Sequence, residues 1–263
     1  MRAASGAAYS LTVVGTGIDA GGQLTPQARA AFAAADEAFY LVGDSVAVRL
    51  LERLNPRARS LHELYAEGKA RLETYEEMVG AILAPVRAGR DVCAAFYGHP
   101  GVFVYPGQVA LERARGEGFR ARMFPGISSL DCLFADLGLD PAATGCQIHL
   151  ATDFVLRGTV PDTTALLLLL QIGVVGQPTH LEQPDWSRLP VLVECLEAFY
   201  PNEHEVIGYE ASPFPLTTPL VERVPLSGLT EAKLTAGMTL VVPPANEPET
   251  DPTMLDRLGL SPR

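Results

Sequence analysis

The chain has 263 residues, 48% of them hydrophobic, and a formal net charge of −11 at pH 7. That length and apolar content suit one large α/β unit or two modest domains with buried cores. The charge excludes nucleic acid as a partner, because phosphate binding draws on clustered Lys and Arg, and here 20 basic residues are spread thinly against 31 acidic ones.

Residues 1–14 hold one Arg and an Ala/Ser/Gly stretch without the sustained apolar run of a secretion signal, so a cytoplasmic protein is expected. Leu11-Thr12-Val13-Val14 is a β-branched run that ends in Gly15-Thr16-Gly17, as a buried parallel strand ends in a tight turn. Thr25-Pro26 supplies an N-cap and an N1 proline for a helix to about Asp36. Phe39 to Val42 reads as a second strand. Arg71 to Arg87 has helical spacing through Leu72, Tyr75, Val79, Ile82 and Val86, with Pro85 predicting a kink or an early end.

Val92 to Phe96 is a further strand that stops at Tyr97-Gly98-His99-Pro100-Gly101. A helix over about 107–117, a strand from Ala121 to Phe124, and Pro125-Gly126-Ile127-Ser128-Ser129 opening one more helix complete a repeated strand-loop-helix pattern. Such a pattern builds a parallel sheet covered by helices, whose ligands sit at the carboxyl ends of the strands. Beyond about residue 130, Leu166 to Ile172, Val206 to Tyr209 and Met238 to Val242 read as strands joined by Pro-rich connections, a more antiparallel arrangement. The apolar run from Ala165 to Gly176 is far short of the roughly 20 residues of a membrane span and reads as a buried strand. The domains expected are 1–125, 126–244 and an acidic, Pro-rich tail over 245–263 that ends in a short amphipathic turn from Leu255 to Leu260. Cys93, Cys132, Cys146 and Cys195 stand far apart, which predicts reduced buried thiols. They form no metal spacing, and neither do His62, His149, His180 and His204.

Gly15-Thr16-Gly17 lacks the full G-x-G-x-x-G spacing, since Ala20 stands where the third glycine belongs, so by itself it is a turn that needs glycine. The loops Tyr97-Gly98-His99-Pro100-Gly101-Val102-Phe103-Val104 and Pro125-Gly126-Ile127-Ser128-Ser129 are more specific. Together they resemble the two loops with which tetrapyrrole methylases, the makers of precorrins and sirohydrochlorin, hold S-adenosylmethionine between two domains. That family usually has Asp where this chain has His99.

Within that superfamily the chain resembles the borosin peptide backbone α-N-methyltransferases. The likeness runs from Leu11 to Pro244 and includes Leu64-Tyr65-Ala66-Glu67-Gly68-Lys69-Ala70-Arg71-Leu72-Glu73-Thr74-Tyr75 and Asp131-Cys132-Leu133-Phe134-Ala135-Asp136-Leu137. It implies a two-domain fold, with a parallel-sheet N-terminal domain and a mixed-sheet C-terminal one. It implies S-adenosylmethionine as cofactor with no metal, and a homodimer that forms a 2:2 complex with a precursor peptide. By the same likeness Tyr65, Arg71, Tyr75 and Tyr97 match catalytic positions, while Tyr97, His99, Val102, Ser129, Gln171, Ala211, Gly237 and Met238 match cofactor-binding positions.

The residue types suit the implied chemistry. An amide nitrogen is a poor nucleophile because its lone pair is delocalised into the carbonyl, so methylation must remove the N–H proton and stabilise the resulting imidate oxygen. Arg71 offers a fixed cation with a fork of donors, and Tyr75 lies at i+4 on the same helix face. Tyr75 or Tyr97 is then the expected base and Tyr65 an added donor. Without the likeness, Arg and Tyr on a helix read as a solvated face, His99 as a satisfied turn histidine, and Phe103, Phe134 and Phe154 as core. Gln171 within an apolar strand asks for a hydrogen-bond partner. The rival functions are a precorrin-type C-methyltransferase and a catalytically silent peptide-binding scaffold. The acidic, proline-rich residues after Pro243-Pro244 lack an apolar segment that could serve as a substrate, so a precursor supplied in trans is expected.

Overall fold

The computed structural model describes residues 10–261; the stretch read above for a secretion signal lies mostly outside them, as do Pro262 and Arg263. Two compact units emerge. The first comprises residues up to Leu137 together with Gln177–Gln183 and Ala211–Pro219, and the second comprises Gly138–Gly176, Pro184–Glu210 and the residues from Leu220 onward.

In the first unit, β1 (Leu11–Gly15), α1 (Ala20–Gln23), α2 (Pro26–Ala34), β2 (Glu37–Leu41), α3 (Ser45–Leu54), β3 (Ala58–Ser60), α4 (Arg71–Arg87), β4 (Val92–Phe96), α5 (Tyr105–Gly116), β5 (Ala121–Phe124) and α6 (Ser129–Leu137) follow one another. The five strands are parallel, in the order β3-β2-β4-β1-β5. Side chains alternate across the sheet, so Leu11, Val13, Phe39, Ala94 and Phe96 pack with Met78, Ile82 and Val86 of α4 and Ala110 of α5. Val14, Ala38, Tyr40, Cys93 and Ala95 pack on the opposite face with Phe32 of α2 and Leu51 of α3. Each fully buried Leu, Ile or Phe contributes about 1.5–3 kcal/mol relative to exposure, so helices are held on both faces.

Thr25 caps α2 by accepting from the Ala28 N–H, as its sequence predicts. Pro85 neither ends nor shortens α4, which runs to Arg87. The proline forfeits one helical hydrogen bond near the end, and burial of Ile82, Leu83 and Val86 around it outweighs that loss. The helix stops at Gly89, whose φ of +78° few other residues adopt.

The second unit contains α7 (Pro141–Thr144), β6 (Cys146–Leu150), α8 (Ala151–Leu156), β7 (Leu166–Leu170), α9 (Leu189–Glu197), β8 (Glu205–Glu210), β9 (Leu220–Pro225), β10 (Thr239–Val242) and α10 (Pro252–Leu258). Its sheet runs β6-β7-β10-β8-β9; β6 and β7 are parallel and the other pairs antiparallel, as a mixed sheet was expected to be. The apolar run that reads as one strand to Ile172 is shorter. Strand β7 stops at Leu170, Gln171 turns outward in a left-handed conformation at φ +61°, and Ile172 and Val175 re-enter the core from a 3₁₀ turn. Gln171 is therefore exposed and not a buried strand amide. Of the four thiols only Cys93 is buried; Cys132, Cys146 and Cys195 are half-buried, and all four are free. No helix among the described residues is long and apolar enough to cross a membrane.

Candidate functional site

Three loops at the carboxyl ends of adjacent strands meet through glycine. A Cβ on Gly15 would lie 2.4 Å from the Gly98 carbonyl oxygen and 2.8 Å from the Gly126 Cα, and one on Gly126 would lie 2.4 Å from that same oxygen. Gly17 and Gly98 also exchange backbone hydrogen bonds at 3.0 and 3.2 Å. The turn glycines of the sequence thus serve to stack the two specific loops on the end of β1.

Tyr97 leaves the sheet at this point, its N–H on the Leu41 carbonyl, with a side chain 41% exposed above β4. His99 Nδ1 accepts the Gly101 N–H at 2.9 Å, which fixes the ring and leaves Nε2 as its outward nitrogen. Val102 is half-buried and tied to His99 through its N–H. Phe103 is not core: it is 43% exposed and held at φ +53°. Phe134 is only partly buried, while Phe154 is in the core. Among the described residues two non-glycines have positive φ, Phe103 next to the predicted ligand position Val102 and Gln171, itself a predicted one, and such backbone strain gathers where loops are shaped for a ligand.

In the second loop Ser128 is committed to structure. It caps α6, its hydroxyl donating to Asp131 Oδ2 at 2.7 Å and accepting the Asp131 N–H, which leaves Ser129 to open the helix. Ala211 is buried and lines an open groove of about 540 Å³ with Asp19, Gln23, Ile127, Cys132 and Phe214. Gly237 and Met238 belong to the second unit; Met238 is buried, and a Cβ on Gly237 would lie 2.7 Å from the Glu210 carboxylate.

Of the predicted catalytic residues, Tyr65, Arg71 and Tyr75 come near one another within the first unit. Arg71 begins α4 and Tyr75 stands one turn on. The Tyr75 phenol and the Arg71 guanidinium both act on the Tyr65 phenol, in opposite directions. Burial above all, then Tyr75, raises the Tyr65 phenol well above its ordinary range against the opposing pull of Arg71, so Tyr65 keeps its proton. The Arg71 Nε is buried without a hydrogen-bond partner among the described residues. A buried guanidinium nitrogen without an acceptor is costly and asks for one.

Two features escape sequence reading. The Tyr105 ring stacks on Tyr75, centroids 5.8 Å apart, and its hydroxyl donates to Glu76 at 2.7 Å; Arg113 grips the same carboxylate. His180 brings its ring to 4.6 Å from Tyr65, and His62 approaches to 5.4 Å. Tyr105 shares a face with Arg113 at helical spacing, a signal present in the sequence; His180 is 115 residues from Tyr65 and gave none.

The fold and the stacked glycine loops at the strand ends define a class. A family model described as tetrapyrrole (corrin/porphyrin) methylases matches residues 10–223, and the chain belongs to that family. Its fold is similar to that of a uroporphyrin-III-C-methyltransferase from Thermus thermophilus (TM-score 0.64, 20% identity, 89% of this chain and 91% of that one). It is likewise similar to a cobalt precorrin-4 methyltransferase (TM-score 0.60, 18% identity, 89% and 94%).

In sequence it is nearer to fungal proteins. It is 40% identical over 260 residues to a methyltransferase/ribosomally synthesized cyclic peptide omphalotin A precursor of Omphalotus olearius, covering 97% of this chain and 62% of that protein. It is 39% identical over 225 residues to a type I borosin cyclic peptide precursor of Coprinopsis marcescibilis, covering 84% and 58%. The chain therefore spans about six-tenths of the length of these relatives.

The residues present fit S-adenosylmethionine. Glycine lets the loops close tightly at the strand ends with a strained loop beside them, and Val102, Ala211, Gly237 and Met238 among the candidate positions offer apolar or backbone surface suited to a flat adenine and a cationic sulfonium, with polar groups at Tyr97, His99, Ser129 and Gln171.

Proposed function

We propose that this chain transfers methyl groups from S-adenosylmethionine to backbone amide nitrogens of a ribosomally made peptide. The observation that carries the reading is the buried Arg71 Nε, without a hydrogen-bond partner among the described residues, near the phenols of Tyr65 and Tyr75. An imidate oxygen is the acceptor that such a corner lacks.

In this reading the substrate carbonyl oxygen accepts from the Arg71 guanidinium and from the Tyr65 hydroxyl, which stays protonated. Negative charge moves from nitrogen to oxygen as the amide N–H proton passes to a phenolate, Tyr75 or Tyr97. The nitrogen lone pair then forms the new N–C bond. S-adenosylmethionine, when bound, would supply the electrophilic methyl and a neutral thioether as its leaving group. By the resemblance, Tyr97, His99, Val102, Ser129, Gln171, Ala211, Gly237 and Met238 are the positions proposed to hold it. Protein catalysis here is alignment and oxyanion stabilisation, the latter typically worth about 10²- to 10³-fold per donor.

We further propose that the peptide arrives as a separate chain. The relatives named above carry a precursor in their own names, and intact-mass measurement separates the two arrangements. One-methyl mass increments on a small protein encoded beside the gene, seen only on co-expression, support the reading. Increments on the solitary chain refute delivery in trans. Methylation of a tetrapyrrole and of no peptide refutes the peptide substrate, and calorimetry that finds no binding of S-adenosylmethionine or its demethylated product removes the activity altogether.

A further inference from the structure

Resting on that reading of the catalytic corner, we infer that His180 is a positioning residue, whose ring holds the Tyr65 phenol against Tyr75, carried on a brace formed by residues 177–183. Tyr65 lies in the connection between the 3₁₀ turn His62–Leu64 and α4. A connection of this kind is mobile unless something ties it down. The tie is a short antiparallel pairing. Gly68 donates to the His180 carbonyl at 2.9 Å, His180 donates back to the Lys69 carbonyl at 2.8 Å, and Arg71 donates to the Pro178 carbonyl at 2.9 Å, with a bridge between Ala70 and Thr179. Glu182 adds its N–H to the Glu67 carboxylate at 2.8 Å.

These bonds do two things at once. The first N–H groups of a helix lack partners within it, and Ala70 has no side chain with which to cap α4. The Pro178 carbonyl takes the Arg71 N–H in its place and so fixes the residue that starts the helix. Two residues further along the same ladder, the His180 ring stands 4.6 Å from Tyr65 at 37°. The brace therefore sets Arg71 through the backbone and Tyr65 through a ring contact, and the two reach one substrate oxygen together. His180 touches neither substrate nor cofactor in this scheme; it acts through Tyr65.

The test uses the full chain with His180→Ala and His180→Phe. The first readout needs no substrate: NMR of tyrosine labelled at Cζ follows ionisation of Tyr65, identified by its absence in Tyr65→Phe. In the wild type Tyr65 holds its proton past the ordinary phenol value near about 10. His180→Ala should let it ionise at lower pH, and His180→Phe, which keeps a flat ring, should restore the wild-type behaviour. The second readout is kcat and KM on the peptide that the wild type methylates on co-expression. A loss of about tenfold in kcat with KM unchanged is expected for the alanine variant, and recovery for phenylalanine. A Tyr65 titration unmoved by alanine, or not restored by phenylalanine, overturns the inference. If His180→Ala fails to fold, His180→Leu, of similar bulk but without a ring, takes its place with the same outcomes. A wild type that methylates no peptide sinks the proposed activity, and the Tyr65 titration still decides on His180.

Discussion

The ring of Tyr105 on α5 lies over the ring of Tyr75 on α4, 5.8 Å between centroids and 28° from parallel. Its hydroxyl is tied to Glu76, the residue after Tyr75, and Arg113 holds that carboxylate with two hydrogen bonds. Tyr75 is thereby prevented from swinging away from Tyr65. Tyr105→Ala should lower kcat by roughly 3- to 10-fold through loss of the aromatic contact, while Tyr105→Phe, which keeps the stack and drops the Glu76 bond, should lose less. Steady-state methylation kinetics of the two variants checks the order; an alanine variant as fast as the wild type would detach Tyr105 from the site.

Arg71→Lys keeps the charge and removes the buried Nε and the planar fork. A point charge does not replace two fixed donors, so methyl transfer should fall by about 10²-fold or more. Tyr75→Phe should be comparably impaired. Affinity for S-adenosylmethionine, read by calorimetry, should stay near wild type in both, since neither residue is among the cofactor positions. Loss of cofactor affinity in step with activity would count against an amide-directed role.

Gly15→Ala places a methyl against backbone atoms of two other loops, at distances that no rotamer change relieves. A destabilisation of about 1–3 kcal/mol is expected. Gly80→Ala is the opposite case: it lies on the exposed face of α4 with nothing within 4 Å of its Cβ, and should stabilise by about 0.5–1 kcal/mol. Thermal denaturation of the pair gives the comparison, and equal shifts would deny the loops their close stacking.

The Tyr200 hydroxyl is buried with no hydrogen-bond partner among the described residues, and burial pushes its phenol up to about 12. Its folded value lies above that of the unfolded chain, near about 10. The folded protein thus keeps a proton that the unfolded chain releases, so stability is full below pH 10 and declines as pH rises through 12. Tyr200→Phe should be neutral or stabilising by up to about 1 kcal/mol at pH 7, and its stability should fall less between pH 10 and 12. Denaturant melts across that range decide the matter.

Much of the first unit was legible because its strands are short apolar runs stopped by glycine: Val92–Phe96 and Ala121–Phe124 are bounded as read, and α4 begins and ends where its periodicity does. Edge elements were not. Strand β3 is three residues, half-exposed and rich in Arg and Ser, and its pairing with β2 alone makes it a strand. Gln171 was misplaced because hydrophobicity continues across it, and periodicity cannot see a left-handed residue that turns the chain. At the site, the i to i+4 relation of Arg71 and Tyr75 is local and readable. Tyr65 meets them through a loop whose course is set by residues far along the chain, and that no local pattern encodes.

The interleaving of the two units also sets a schedule. During synthesis, the strands of the parallel sheet are complete once Phe124 has been made, yet the carbonyl that receives the Arg71 N–H belongs to Pro178. At about 5–20 residues per second, the start of α4 waits several seconds for its partner while the first strands of the other unit emerge. In that interval the sheet can form, but the residues around Tyr65 stay open to solvent, to proteases and to chaperones. The nascent chain therefore passes through a stage with a finished scaffold and an unfinished catalytic corner.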